Sequence, residues 1–188
     1  MDIIVDLNLA EMHQMVDAAK HRWITKLGSK DKATYAEGRK NKYLEHDLLS
    51  SLRSATTEWA VAKYLHEGWV GQITYPNSEH GNRKSLGDVG AHVEVRSRRT
   101  RDAIPVWDYD IVPGKILVGT EVVNDDTFNQ IRIFGWMMMT DVPANSEFYE
   151  GRYYVPTEKF NTDFSLLKSS ESSTSEAYDL AHVIDLIH

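Results

Sequence analysis

Apolar residues change their spacing between residues 67 and 86 of this chain, and that change constrains the fold more than any other feature. Up to about residue 67 they recur at helical intervals; from residue 86 they alternate or run together, as in strands. Leu9, Met12, Val16, Ala19 and Trp23 form one such stripe, which predicts a helix over residues 8–27. Asn8 is a suitable N-cap, Glu11 follows three residues on as in a capping box, and Gly28 closes the helix. Residues 29–41 are polar and rich in Lys, which predicts a loop. Leu48, Leu52, Ala55, Trp59, Ala62 and Leu65 or His66 mark a second helix over residues 45–67, ended by Gly68.

The strand-like half is divided by turns. Residues 69–75 form a short strand, 76–84 a polar loop and 86–97 a hairpin. Residues 116–123 and 130–140 are apolar strands, the first interrupted by Gly119, and Asn124-Asp125-Asp126 joins them as an antiparallel pair. Residues 101–114, with Pro105 and Pro113, read as a connection, and 153–156 as an edge piece. A short helix is expected from Thr157 or Asn161. These expectations amount to one α/β (α+β) domain over residues 1–167: two N-terminal helices, then a mixed central sheet of about four to six strands. A Ser-rich linker follows over 168–176. Residues 177–188 carry Leu180, Val183, Ile184 and Ile187 at helical spacing, an amphipathic helix that docks on the body or mediates a homo-oligomer.

Composition removes several function classes. The chain has 188 residues and no cysteine, so disulfides, thiolate catalysis and cysteine-ligated zinc are out. Its eight His are dispersed without metal-ligand spacing. No run of 18 apolar residues occurs, and residues 1–6 lack the basic start of a signal peptide, so a cytoplasmic protein with no membrane partner is expected. No P-loop, GxGxxG, HExxH or GxSxG is present. The net charge of −7 argues against a chain that coats nucleic acid by bulk electrostatics. Basic charge is nonetheless concentrated at Arg83, Lys84, Arg96, Arg98, Arg99 and Arg101, against only Asp88 and Glu94 in that stretch. Such a cluster grips a phosphate backbone or is a solvated polar loop.

The chemistry centres on Gly87-Asp88-Val89-Gly90-Ala91-His92-Val93-Glu94-Val95-Arg96. Val93 and Val95 alternate with His92, Glu94 and Arg96, giving one apolar and one polar face. Gly90 and Ala91 supply a turn. With a loop of about three residues, Asp88 pairs with His92 and Glu94 lies diagonally opposite Asp88, roughly 7–8 Å away between alpha carbons. Two carboxylates at that separation suit one hard divalent cation. Without the turn, the two would be roughly 20 Å apart on one strand. Glu58 lies three residues after Ala55 and four before Ala62, on the apolar helix face, where a carboxylate needs a metal, a partner such as Arg, or a route to water.

A helix with Glu, then Gly-Asp, then Glu-Val-Arg on a strand resembles the PD-(D/E)XK nuclease superfamily, in particular its small bacterial and bacteriophage members. The resemblance covers residues 58–136 and implies a restriction-endonuclease-like core with Mg²⁺, or Mn²⁺, as cofactor and DNA as partner. It assigns Asp88 and Glu94 as metal ligands with the backbone carbonyl of Val95. It makes Glu58 the helical acidic residue that supports the metal, directly or through water. Arg96 stands where the family has Lys. Arginine stays protonated and cannot be a general base, but it clamps phosphate and stabilises charge. The resemblance therefore implies a metal-dependent deoxyribonuclease with Glu58, Asp88, Glu94 and Arg96 in the site, and Lys84, Arg98, Arg99 and Arg101 as phosphate contacts. The same scaffold with Arg in place of Lys also fits a protein that binds nucleic acid or assembles without cutting. His92, Asp108, Asp110 and Glu121 are secondary candidates; turn or structural roles are the plainer reading of each. Trp136 reads as core.

Overall fold

The computed structural model describes residues 2–28, 44–69, 87–98, 102–165 and 167. Helix α1 (Leu9–Gly28) and helix α2 (Leu44–Leu65) pack against each other. The strands are β1 (Ile3–Asp6), β2 (Val93–Ser97), β3 (Ala103–Trp107), β4 (Ile116–Val122), β5 (Gln130–Met138), β6 (Glu147–Tyr149) and β7 (Arg152–Pro156). They make two sheets, one of four strands in the order β1-β5-β4-β2 and one of three in the order β3-β7-β6. The first sheet is mixed: β2 runs parallel to β4, and β5 runs antiparallel to both β4 and β1. The fold is therefore α+β, with a mixed sheet as expected.

Alternation along the strands sends side chains to two separate cores. Val93 and Val95 of β2, Ile116 and Val118 of β4 and Ile131 and Ile133 of β5 pack with Ala55, Val61, Ala62 and Leu65 of α2. Leu117, Phe134 and Met137 point the other way, onto Ile104, Val106 and Val155 of the second sheet. The four-stranded sheet is thus the middle layer between helices and a second sheet. Fully burying an aliphatic side chain of this size is worth about 1.5–3 kcal/mol, so each face is held by several such contributions.

The Asn8–Glu11 capping box forms as expected. The Glu11 N–H donates to Asn8 Oδ1 at 3.0 Å and the Asn8 N–H to Glu11 Oε2 at 2.8 Å. The expected apolar stripe of α1 is corrected. Leu9 and Val16 are exposed, whereas Met15 and Ala19 are buried and Met12, Trp23 and Arg22 are half-buried. The two faces share Met12, Ala19 and Trp23, but the inward one is rotated towards Met15 and the polar Arg22.

Residues 101–114, expected as a connection, contain β3, and 153–156, expected as an edge piece, form the central strand of the second sheet. Pro105 is tolerated because β3 is an edge strand and a missing N–H there breaks no ladder bond. Gln130–Met138 and Ile116–Val122 pair antiparallel around the 124–126 turn, with a register shift between Gly119 and Thr120. A 3-10 turn covers Thr157–Lys159. Trp136 packs against the helix-side core, and its indole N–H donates to the Asp163 carbonyl at 3.0 Å. No helix among the described residues is long and apolar enough to cross a membrane. The 29–41 loop, nearly all of the 69–75 strand, the 168–176 linker and the 177–188 helix lie outside the described residues.

Candidate functional site

The site wraps the edge of β2 that faces away from β4. The turn before β2 is pinned by the Val89–Val93 bridge, with the Val93 N–H donating to the Val89 carbonyl at 3.2 Å. The expected Asp88–His92 pairing is therefore two residues out of register. The loop is Gly90-Ala91-His92, not residues 89–91, because the left-handed backbone sits at Gly90 (φ 55°) at the start of the loop. Gly87 is equally constrained. A Cβ there would lie 2.5 Å from the Val93 carbonyl oxygen and 2.6 Å from its nitrogen, so only glycine lets the turn close on the strand. The shift carries Asp88 along β2: its Oδ2 accepts from the Val95 N–H at 2.9 Å. His92 serves through its backbone, its carbonyl accepting from the Ile116 N–H at 2.9 Å where β2 meets β4.

Val93 and Val95 are buried under α2 and the side chains between them turn to the opposite face. There Glu94 meets Lys115, with Nζ 3.2 Å from Oε2. The N–H and C=O of one strand residue point to the same side, so the Val95 carbonyl lies beside Asp88 on that edge. Arg96 occupies this point of convergence. Its Nη1 donates to the Val95 carbonyl at 3.2 Å and lies 3.7 Å from Asp88 Oδ2; its Nη2 is 2.7 Å from Glu94 Oε1 and 2.8 Å from Asp110 Oδ2. The guanidinium thus sits on all three groups expected to hold a metal. Burial opposes its charge, but Glu94, Asp88 and Asp110 outweigh burial and drive its pKa further upward.

Beneath the turn lies Glu58, buried as its helical phase predicts. Of the alternatives open to such a carboxylate, an Arg partner is the one observed. Arg22 of α1 grips it with both arms, Nη1 to Oε1 at 3.0 Å and Nη2 to Oε2. Ser54 donates to Oε1 at 2.6 Å and the Trp69 indole N–H to Oε2 at 2.9 Å. Burial pushes this carboxyl up, but Arg22, Ser54 and Trp69 overcome that and hold it below its usual range. Glu58 is therefore a fixed negative charge under Asp88. Burial, then the charges of Glu58 and Glu94, push the Asp88 carboxyl to about 8, against the opposing pull of Arg96 and the Val95 N–H. Its side chain is only 26% exposed, so water relieves little of this crowding.

Of the remaining basic candidates, Arg98 is paired with Asp102 and Glu121 and its guanidinium lies over the Phe134 ring. Lys84, Arg99, Arg101 and Arg83 lie outside the described residues. Asp108 accepts from the Tyr109 N–H at 2.8 Å, ordinary turn chemistry as expected, and Glu121 pairs with Arg98 and Arg132. Asp110, for which a turn role was the plainer expectation, reaches the site, and Lys115 and Arg22 join it without having been singled out. The crossover from β2 to β4 explains the first two. It passes through the second sheet and re-enters beside the start of β2, bringing Asp110 and Lys115 with it.

The donor chemistry at this edge suits Mg²⁺. Asp88, Glu94 and a main-chain carbonyl make a small all-oxygen set, and Mg²⁺ takes one or two carboxylates while keeping several waters. Among the described residues no group of three or more His, Asp or Glu is close enough to hold a metal, and the guanidinium of Arg96 lies against Asp88, Glu94 and Asp110. Compared with family models, with curated proteins and with solved structures, the chain matches none.

Proposed function

We propose that this protein is a divalent-metal-dependent nuclease that hydrolyses DNA phosphodiester bonds. The observation that carries the reading is that Asp88, Glu94 and the Val95 carbonyl all face the Arg96 guanidinium at the edge of β2, with Lys115 on Glu94. A bound Mg²⁺ or Mn²⁺ supplies the Lewis acid and lowers the pKa of a bound water. Asp88 and Glu94 would hold it with the Val95 carbonyl, and Glu58, paired with Arg22, lies beneath Asp88 as the helical acidic residue of the motif. Arg96 clamps the scissile phosphate and stabilises charge as it develops, without moving a proton. Lys115, already on Glu94, is the second basic side chain of the site. DNA is the substrate that the resemblance of the Asp88 and Glu94-Val95-Arg96 motif implies, and the restriction-endonuclease-like core is part of the same reading.

The seating of Arg96 on the donor groups favours a second reading, a nucleic-acid-binding or assembly protein that has replaced the metal by a guanidinium. A cleavage assay separates the two. Supercoiled plasmid and labelled single strands are incubated with the protein in Mg²⁺, Mn²⁺ or EDTA, beside Glu94→Ala. Metal-dependent cutting that disappears in Glu94→Ala is the expected result. Binding of either substrate with no cutting in any metal would refute the nuclease and leave the binding protein.

A further inference from the structure

This inference rests on the nuclease reading and concerns how its metal site is filled. We infer that Arg96 and the divalent cation are alternative occupants of the Asp88–Glu94–Val95 donor set, and that Asp110 is the positioning residue that takes the guanidinium when it moves aside.

The geometry is specific. Arg96 Nη2 is shared almost equally, 2.7 Å from Glu94 and 2.8 Å from Asp110, while Nη1 covers the Val95 carbonyl and faces Asp88. A dication bound by Asp88 and Glu94 cannot coexist with a guanidinium at those distances, because both need the same oxygens and they repel each other. Asp110 offers the displaced group a place to stay. It comes from the 3-10 turn Asp108–Asp110, on the crossover rather than on β2, and its side chain is only 17% exposed. Arg96 keeps its Asp110 bond through a rotation of its terminal torsions, so its charge is never left unpaired. Lys115 is on the other oxygen of Glu94, Oε2, and does not occupy the Oε1 that Arg96 takes. Held by Asp110, the guanidinium retains free N–H donors beside the cation, where phosphate oxygens would lie. The fork of Arg suits this double duty better than the single ammonium of Lys.

The experiment is a titration of the full chain with Mn²⁺ alone, free Mn²⁺ being followed by electron paramagnetic resonance. Wild type, Arg96→Gln, Asp110→Asn and the double variant are compared, with Glu94→Gln identifying the site by loss of binding. Arg96→Gln should bind Mn²⁺ at least about fivefold more tightly than wild type, the low end of ordinary coupling between two ligands. Asp110→Asn should weaken binding in the wild-type background and change nothing in the Arg96→Gln background. Persistence of the Asp110→Asn loss without Arg96 would overturn the assignment, since Asp110 would then act on the metal itself. Binding seen only when Arg96 is replaced would overturn the exchange, since the guanidinium would not yield. If Arg96→Gln fails to fold, Arg96→Met takes its place: with no cation left to share Glu94 and Asp110, tighter binding insensitive to Asp110→Asn is again expected. Equal affinity in all Arg96 and Asp110 variants would overturn the exchange alone. Absence of Mn²⁺ binding from every folded variant would overturn the metal reading beneath it.

Discussion

Replacing Arg22 by Met tests whether the helix pair carries the site. Arg22 and Glu58 are 15% and 5% exposed, and Glu58 takes two of its hydrogen bonds from that one guanidinium. Met keeps much of the apolar stem and removes the charge, leaving a buried carboxylate beneath Asp88. Breaking a buried pair from one side costs about 3–5 kcal/mol, because the surviving charge has lost its partner and has no water. Loss of the guanidinium from the Trp69 face, 5.6 Å from the ring centroid, adds about 0.5–1 kcal/mol. With a urea m-value of about 2 kcal/mol/M, the midpoint should fall by about 1.8–3 M. Glu58→Gln in the Arg22→Met background removes the stranded charge but keeps an acceptor for Ser54 and Trp69. The double variant should therefore be more stable than Arg22→Met alone. Urea denaturation followed by tryptophan fluorescence reads both. A fall below about 0.5 M for Arg22→Met, or simple additivity in the double variant, would refute the argument that this pair is a coupled, buried unit.

Asp88 sets the pH dependence of the metal-free protein. Its folded carboxyl titrates near 8 against an ordinary 3.8, so the folded state holds a proton that the unfolded state has released. The resulting stabilisation is complete below the ordinary value and is lost as pH rises towards 8. Urea midpoints in EDTA should fall between pH 5 and 8, and Asp88→Asn should flatten that slope; a rise across this window in wild type would reverse the reasoning. Glu58, held below its usual range, acts in the opposite sense but only at lower pH. Gly87→Ala should cost about 1–3 kcal/mol or more, since its Cβ would meet main-chain atoms of Val93 that cannot move without opening the turn. Thermal denaturation tests this, and a melting temperature equal to wild type would show that the turn closes differently.

The parts of the site legible in the sequence are those fixed by local periodicity. Helical phase alone turned Glu58 inward, and strand alternation alone put Glu94 and Arg96 on the face opposite Val93 and Val95. The position of a three-residue loop is not fixed by alternation, since moving it by one residue keeps the same faces and moves the pairing by two. Only the conformation at Gly90 selects Val89–Val93. Asp110 and Lys115 were illegible as partners of Arg96 and Glu94 because both arrive on a crossover whose path through a second sheet leaves no local mark. Arg22 was hidden because a search for apolar stripes passes over a polar residue on a buried face. The second sheet was missed for a related reason: Pro105 signals a break unless the strand is already known to lie at an edge.

The parallel pairing of β2 with β4 also bears on how the molecule comes together. Parallel neighbours cannot be joined by a tight hairpin, so β2 and β4 are connected by a crossover that includes β3 of the second sheet. The contacts of Asp110 with Arg96 and of Lys115 with Glu94, 14 and 21 residues apart in sequence, form only when that crossover is in place. The Arg22–Glu58 clasp spans 36 residues but lies wholly within the helix pair. The edge that carries the candidate site is thus complete only when the helix pair and the second sheet are both in place.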